Sequence, residues 1–493
     1  MLSICVRGAD PAKRRYTAGY PMAQLPTEPA VPESGVPEPQ VLGPEVPGPG
    51  ASGPKVPGHL ASEEVNPMLG EPELVTPDVS LAAMGPGSPP ARRAAVTFIF
   101  MTVTLDMLAL GMIAPVLPRL ITGFLGGNQV SAAQMIGIFG TLFAAMQFFF
   151  SPVLGCLSDR FGRRPIVLLS NFGLAADYVV MALAPTLPWM VVGRVISGLT
   201  ASSVPTAMAY MADVTPREGR AAAYGFLNAA FGIGFVLGPA MGGVLGNINP
   251  RLPFWVAGGL SLLNGCYGYF VLPESLPVEL RNPFSWRRAN PVGSLALLSG
   301  RRGLLRIAGL LLLGYIAQQS LSNVFVIYAE FRYGWTDRTV GLSLAAIGLF
   351  TALYGVFLVK PAVKHMGERR CMILGFFGGA LGYMCFGLSR TGVLFWVGMP
   401  LLNLMCVTWP SAQSIMSRAI GPSEQGQLQG AVNSLRGISG LVGPGLFTWV
   451  FSRSIGAHPL IPAAGMPFYL AAAMLLTALV LTRSSTPERA GAG

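Results

Sequence analysis

The sequence predicts an all-α integral membrane protein, with twelve transmembrane helices arranged as two six-helix repeats. Three observations predict it. Only 11% of the 493 residues are charged and 52% are hydrophobic, whereas an ordinary soluble domain is about a quarter charged. The apolar residues gather into stretches of roughly 20 that recur from residue 94 to residue 482, and stretches of that length cross a bilayer. The third observation is an internal echo. Gly162 pairs with Gly367, Arg164 with Arg369, Gly193 with Gly398 and Pro205 with Pro410, each 205 residues apart. Gly225 with Gly430, Gly238 with Gly443 and Pro239 with Pro444 keep the same offset. One gapless offset through equivalent loops and helices means a repeated unit in one orientation, related by an axis along the membrane normal.

Taken in order, residues 1–91 differ from everything after them. They hold 18 of the 42 prolines, with near-repeats at Val31-Pro32, Val36-Pro37, Val46-Pro47 and Val56-Pro57. Such a composition cannot bury enough apolar surface to offset its ordering entropy. The segment is read as a disordered cytoplasmic tail; a start at Met84 is the other account of it. It has no apolar core of a signal peptide. The first half, 92–272, contains spans near 94–118, 133–155, 165–185, 188–209, 222–247 and 252–272. A linker at 273–303, with Arg281, Arg287, Arg288, Arg301 and Arg302, leads to the second half at 304–483. Its spans lie near 304–328, 339–359, 371–389, 391–413, 427–452 and 462–482, and 484–493 form a short tail.

The net charge of +11 suggests nucleic acid only until its placement is considered. Nucleic-acid binding needs a basic face, whereas membrane insertion places Lys and Arg in alternate loops on the cytoplasmic side. Between the two sets of loops these residues divide 20 against 6. Both termini and the linker are therefore expected in the cytoplasm, the bilayer is the partner, and nucleic acid is not. Cys5, Cys156, Cys266, Cys371, Cys385 and Cys406 show no metal-ligand spacing, and most fall in or beside spans as small apolar fillers. No disulfide, metal or cofactor is expected, and the chain is read as a monomer.

Two stretches carry motifs. Gly155-Cys156-Leu157-Ser158-Asp159-Arg160-Phe161-Gly162-Arg163-Arg164-Pro165 lies in the loop after the second span. A tight turn at Gly162 lets two helix ends approach, and Asp159 then accepts from Arg163 or from a neighbouring helix N-terminus. Such a latch holds in one conformation and breaks in another. Lys364-His365-Met366-Gly367-Glu368-Arg369-Arg370 is its weaker echo. In the fifth span, Gly234, Gly238, Gly242 and Gly246 recur every four residues beside Pro239 and Gly243. That spacing makes a smooth face for close helix approach, and Pro239 removes a backbone donor and favours a bend.

The loop motif resembles the signature loop of the major facilitator superfamily, and the glycine–proline stretch looks like the motif its antiporters share. Residues 94–482 resemble the tetracycline/proton antiporter family. The stretches that carry the likeness run from Leu105-Asp106-Met107 to Pro115-Val116-Leu117-Pro118, and from Ser158 to Pro165, with Asp177-Tyr178. Gly193-Arg194-Val195-Ile196-Ser197-Gly198, Tyr333-Gly334-Trp335 and Gln427-Leu428-Gln429-Gly430 through Val442-Gly443-Pro444 complete them. The resemblance implies the major facilitator fold and export of a small molecule in exchange for an entering proton, across the inner membrane of a bacterium. It departs from the family in two places: Thr351 and Gly379 stand where the antiporters carry a histidine and an aspartate.

Within the first-half spans only Asp106, Asp177 and Arg194 are charged deep in the bilayer. A charge at mid-bilayer costs at least about 2.5–3.5 kcal/mol, so such groups face a cavity or pair. A carboxylate out of water ionises with difficulty, and a nearby cation eases it. Surroundings that alternate between those states load a proton on one side and release it on the other. Asp106 and Asp177 are therefore the candidate proton or substrate sites, with Arg194 tuning them; a purely structural pair is the alternative. Arg436 stands nearly alone in the eleventh span, either to orient an anionic oxygen of the ligand or to snorkel. Glu330 reads as interfacial. Gln147, Gln318 and Gln319, with Asn171 and Asn323, line the cavity or bond helix to helix. The expected function is proton-coupled export of a small amphipathic compound. An uncoupled facilitator and a non-transporting sensor or scaffold are its rivals, and an enzyme is not expected, since no catalytic motif is present.

Overall fold

The computed structural model describes residues 90–216, 219–286, 289–421, 424–456 and 463–484. The tails expected at 1–91 and 484–493 lie outside them but for their inner edges. Among the described residues the regular structure is entirely helical. The first half comprises α1 (Pro90–Ile113), α2 (Leu117–Phe124), α3 (Gln129–Phe161), α4 (Arg163–Leu183), α5 (Leu187–Thr200), α6 (Ser203–Val214), α7 (Arg220–Ile248) and α8 (Leu252–Val271). A short α9 (Ala296–Ser299) follows in the linker. The second half comprises α10 (Arg302–Tyr333), α11 (Asp337–Phe357), α12 (Val359–Met366), α13 (Glu368–Leu388), α14 (Gly392–Asn403), α15 (Thr408–Arg418), α16 (Gln425–Ile455) and α17 (Met466–Ser484).

Among the described residues ten segments are long and apolar enough to cross a bilayer, with α1–α2, α5–α6 and α14–α15 each counting as one. α8 and α16, 20 and 31 residues long, also have the length of a span. Large apolar side chains such as Leu183, Ile248, Phe270 and Val356 are exposed on the outside, as a lipid-facing surface requires.

Three spans expected to be continuous are broken, and proline is the physical reason. Pro115, Pro118, Pro205 and Pro410 have no N–H to give to the carbonyls of Gly111, Ala114, Ala201 and Cys406. The chain accordingly leaves the α-helix between Ile113 and Leu117, at 201–202, and through a 3₁₀ turn at Leu404–Val407. The second and third breaks occupy matching places in the two halves, as Pro205 and Pro410 do.

Within the first half α1 packs on α7 and α8, and α4 on α5 and α8; in the second, α10 packs on α16 and α17, and α13 on α14 and α17. The halves meet along two seams, α3 against α16 and α7 against α11. Glycines show where these seams are closed. A Cβ on Gly137 or Gly140 would strike Thr448 or Pro444, and one on Gly243 or Gly341 would strike the opposing backbone. Nearer the face that carries the linker, a Cβ on Gly155, Gly232 or Gly355 would meet nothing within 4 Å. The structure is thus closed at the far face and parted at the linker face. At the far face Arg119 Nη1 reaches Asp337 Oδ2 at 2.9 Å, joining the halves by an ion pair.

Candidate functional site

The break in the fourth span builds the site. α5 carries Arg194 inward, and the break at 201–202 lets α6 start again at Ser203, beside α1. There the Ser203 hydroxyl donates to Asp106 Oδ2. Asp106 is 5% exposed and Asp177, on α4, is 0% exposed. Arg194 Nη2 donates to Asp177 Oδ2 at 3.0 Å, and the guanidinium lies 5.9 Å from the centre of the Phe143 ring. Asp177 Oδ1 and Arg194 Nε are buried without a hydrogen-bond partner. A cavity of about 110 Å³ brings Asp106, Gln147, Arg194, Ser197 and Ser203 onto one wall with Met107, Phe143 and Tyr178. Asp177 stands behind Arg194 and reaches the cavity through it. The two carboxylates therefore differ in kind: one is neutralised by a cation, the other is held by a hydroxyl.

The glycine ridge of α7 sits against the back of α1. Gly234 meets Thr104, Met107 and Leu108; Gly238 meets Leu108 and Gly111; Gly242 meets Met112. Any side chain there would displace the helix that holds Asp106. Gly243 turns to the other seam and meets Asp337 and Gly341, and Pro239 lies over Gly111.

On the linker face Gly162 turns the chain at φ 109°, a conformation glycine adopts without steric cost. Arg163 Nη1 donates to Asp159 at 2.5 Å and its Nε to Asp213 at 3.0 Å. Arg164 donates to the Tyr269 carbonyl at 2.5 Å, and Arg160 lies over Phe161. The Glu274 carboxylate accepts from the backbone N–H of Arg163 at 2.7 Å and of Arg164 at 3.2 Å. It fills the space where a Cβ on Gly162 would stand, so Gly162 is required by both its φ and its neighbour.

Comparison with known proteins decides the family. The profile of the Major Facilitator Superfamily matches residues 99–444 and 333–491. The chain belongs to the major facilitator superfamily. It is 36% identical to the class C tetracycline resistance protein of Escherichia coli over 402 residues, 80% of this chain and 98% of that one. With the class G protein of Vibrio anguillarum the identity is 35%, over 74% of this chain and 92% of that one. The solved human organic anion transporter MFSD10 (TETRAN) is 24% identical, covers 80% of this chain and 100% of its own, and superposes with a TM-score of 0.60. A D-xylose–proton symporter at 17% identity, covering 80% and 98%, reaches 0.65. The last two show the fold alone. This facilitator-superfamily member is a multi-pass membrane transporter, and its likeness to the tetracycline resistance proteins spans most of the chain.

The transporter's second half is built differently. Thr351 lies with its hydroxyl 2.5 Å from Asn403 Oδ1, a neutral pair, and Gly379 is packed against Met405 and Leu475. Arg436 is exposed on α16, its guanidinium 5.2 Å from the Tyr315 ring centre, and no carboxylate among the described residues pairs with it. Tyr315 in turn stacks on Trp409 at 4.6 Å. Gln319 and Asn323 bond to each other at 3.1 Å in the α3–α16 seam, against Gly443 and Gly140, not on the Asp106 cavity. Gln318 and Asn171 are likewise absent from its wall. Sequence reasoning passed over Ser203, Asp213 and Glu274. The offset of 205 was a signal for one of them: it carries Asp213 onto Arg418.

Proposed function

We propose that the protein is a proton-coupled antiporter that exports a small amphipathic organic compound by alternating access, with the linker face in the cytoplasm of a bacterial inner membrane. The observation that supports it is the unequal treatment of the two buried carboxylates. Asp177 has Arg194 to balance its charge. Among the described residues Asp106 has only the Ser203 hydroxyl, in a cavity whose lining it shares with that same Arg194. A buried charge without a counter-charge is costly, so a proton is what balances Asp106 when the site is closed to water. Opening to one face loads the proton, and opening to the other, with the compound's arrival, releases it. Arg436 and the stacked Tyr315 and Trp409 offer the compound a cation and flat apolar surface in the second half. One proton is sufficient work. At about 100 mV it releases roughly 2.3 kcal/mol, and each ten-fold gradient costs about 1.4 kcal/mol.

The experiment is drug-induced proton release from energised inverted vesicles that contain the protein, in a pump-deficient bacterium screened with tetracyclines and other amphipathic compounds. Asp106→Asn is expected to abolish proton release and export at unchanged expression. Export without proton movement would instead mark an uncoupled facilitator. Protease digestion of a C-terminal tag in spheroplasts tests the orientation: the tag is expected to be protected.

A further inference from the structure

In an antiparallel helix pair the residue numbers of facing positions add to a constant. Along the α3–α16 seam the closest neighbours are Gly137 with Thr448, Gly140 with Pro444, Gly440 with Ala144 and Gly437 with Phe148. Every pair adds to 584 or 585. Two helical turns further toward the linker face, the same face of α3 presents Gly155, and the same register sets it opposite Gly430. The seam is thus written, residue for residue, to continue inward as a glycine-on-glycine contact.

That contact is not made. Among the described residues a Cβ on Gly155 would meet nothing within 4 Å, whereas one on Gly430 would stand 3.1 Å from Ser294 Cβ. Ser294 belongs to the linker. One helical turn along, the Ser434 hydroxyl donates to the Pro291 carbonyl, and Leu298 is buried, 3% exposed, in the core that also contains Leu428 and Leu435. The other end of the linker is tied to the first half: the Asn282 N–H donates to the Asp159 carbonyl at 3.1 Å. The linker is therefore tied at one end to the inner end of α3, and its second-half end lies on the surface of α16 that Gly155 would need.

We infer that residues 289–294 are a strap that competes with α3 for the inner face of α16, so that the linker face closes only when Ser294 leaves Gly430. The linker is then a conformational element in its own right, setting how often the protein opens to that face. This rests on the two halves moving, and not on proton coupling or on any particular compound. The second seam provides an internal control, because a Cβ on its inner glycine, Gly232, would meet no described residue of the linker within 4 Å. There Gly243 with Gly341 and Val236 with Gly348 add to 584, and Gly232 continues the register opposite Ala352.

The test is a distance measurement between spin labels at Phe161 and Gln427, the inner ends of α3 and α16. It uses the full chain in lipid nanodiscs, with its six cysteines replaced and with neither gradient nor drug. Ser294→Gly with Ser434→Ala removes the covering side chain and one hydrogen bond, which shifts an equilibrium about five-fold. The short-distance population is expected to rise by at least that factor. Gly155→Leu, which cannot face Gly430, is expected to remove it. As a second reading in the chain with native cysteines, amide hydrogen exchange over residues 289–294 rises in Ser294→Gly/Ser434→Ala and not in Gly155→Leu. An unchanged distance distribution in the strap variant, or a short population that survives Gly155→Leu, overturns the inference. Failure of proton release in vesicles overturns the antiporter reading and leaves this one standing.

Discussion

The two halves share a backbone plan and differ in where they put charge. At the linker face of the first half, Arg163 on α4 bonds Asp213 at the end of α6. At the linker face of the second, Glu368 on α13 bonds Arg418 at the end of α15. Both members of the first pair lie 205 residues before the corresponding members of the second, so the same tie is made at the same place with its signs reversed. Asp159 follows suit, with Lys364 at its repeat position. The repeat has therefore kept the mechanical tie and not the residue types. In mid-membrane the opposite holds. Asp106, Asp177 and Arg194 have no charged counterparts in the second half, whose repeat positions for them are Leu311, Gly382 and Met399, and its own cation, Arg436, lies over Tyr315 and pairs with no carboxylate among the described residues. Ties that hold helix ends were duplicated. The ionisable site was made once.

Four changes break or sharpen that contrast. The largest effect is expected at the buried pair: Arg194→Met leaves Asp177 buried and unpaired, which costs about 3–5 kcal/mol. The loss is read as a fall in thermal unfolding temperature in detergent. Adding Asp177→Leu should recover most of that stability and none of the transport, which separates holding the fold from serving the site.

Next is the polarity of the tie. Arg163→Glu alone places three carboxylates together and is expected to lower transport severely, each lost charge-assisted hydrogen bond counting about 1.5–3 kcal/mol. Arg163→Glu with Asp213→Arg copies the second half's arrangement and should restore much of the rate in a vesicle uptake assay. If the swap is as poor as the single change, sign matters as well as position.

A smaller effect is expected at the far face. Arg119 is about half exposed in its pair with Asp337, so Asp337→Asn should cost only about 1 kcal/mol. It should raise labelling of a far-face cysteine a few-fold by an impermeant maleimide. The smallest is at Arg418, 63% exposed in its side chain. Arg418→Gln is expected to change stability by no more than about 1 kcal/mol, measured by the same unfolding assay.

Much of the fold was legible because a bilayer reads sequence locally. Apolar stretches, basic loops and the 205-residue echo each follow from what a single helix must do in lipid. The prolines at 115, 205 and 410 were equally visible, but the breaks they cause were not read. Pro239 and Pro444 lie inside unbroken helices, so composition alone does not say which proline interrupts. The candidate site was legible in its charges and not in their partners. Ser203 lies 97 residues from Asp106, and Glu274 lies 111 from Arg163. Hydroxyls and loop carboxylates are common, and only packing selects the ones that count.

By itself, the sequence determined that the chain is built of apolar membrane-length helices, that its halves repeat and that charge within the spans is rare, because each depends on the transfer of one segment between water and lipid. Tertiary structure alone decided which carboxylate has a cation and which a hydroxyl, and which face of α16 the linker covers. Those depend on which side chains meet across helices distant in the chain, and a contact of that kind is a property of the packed whole.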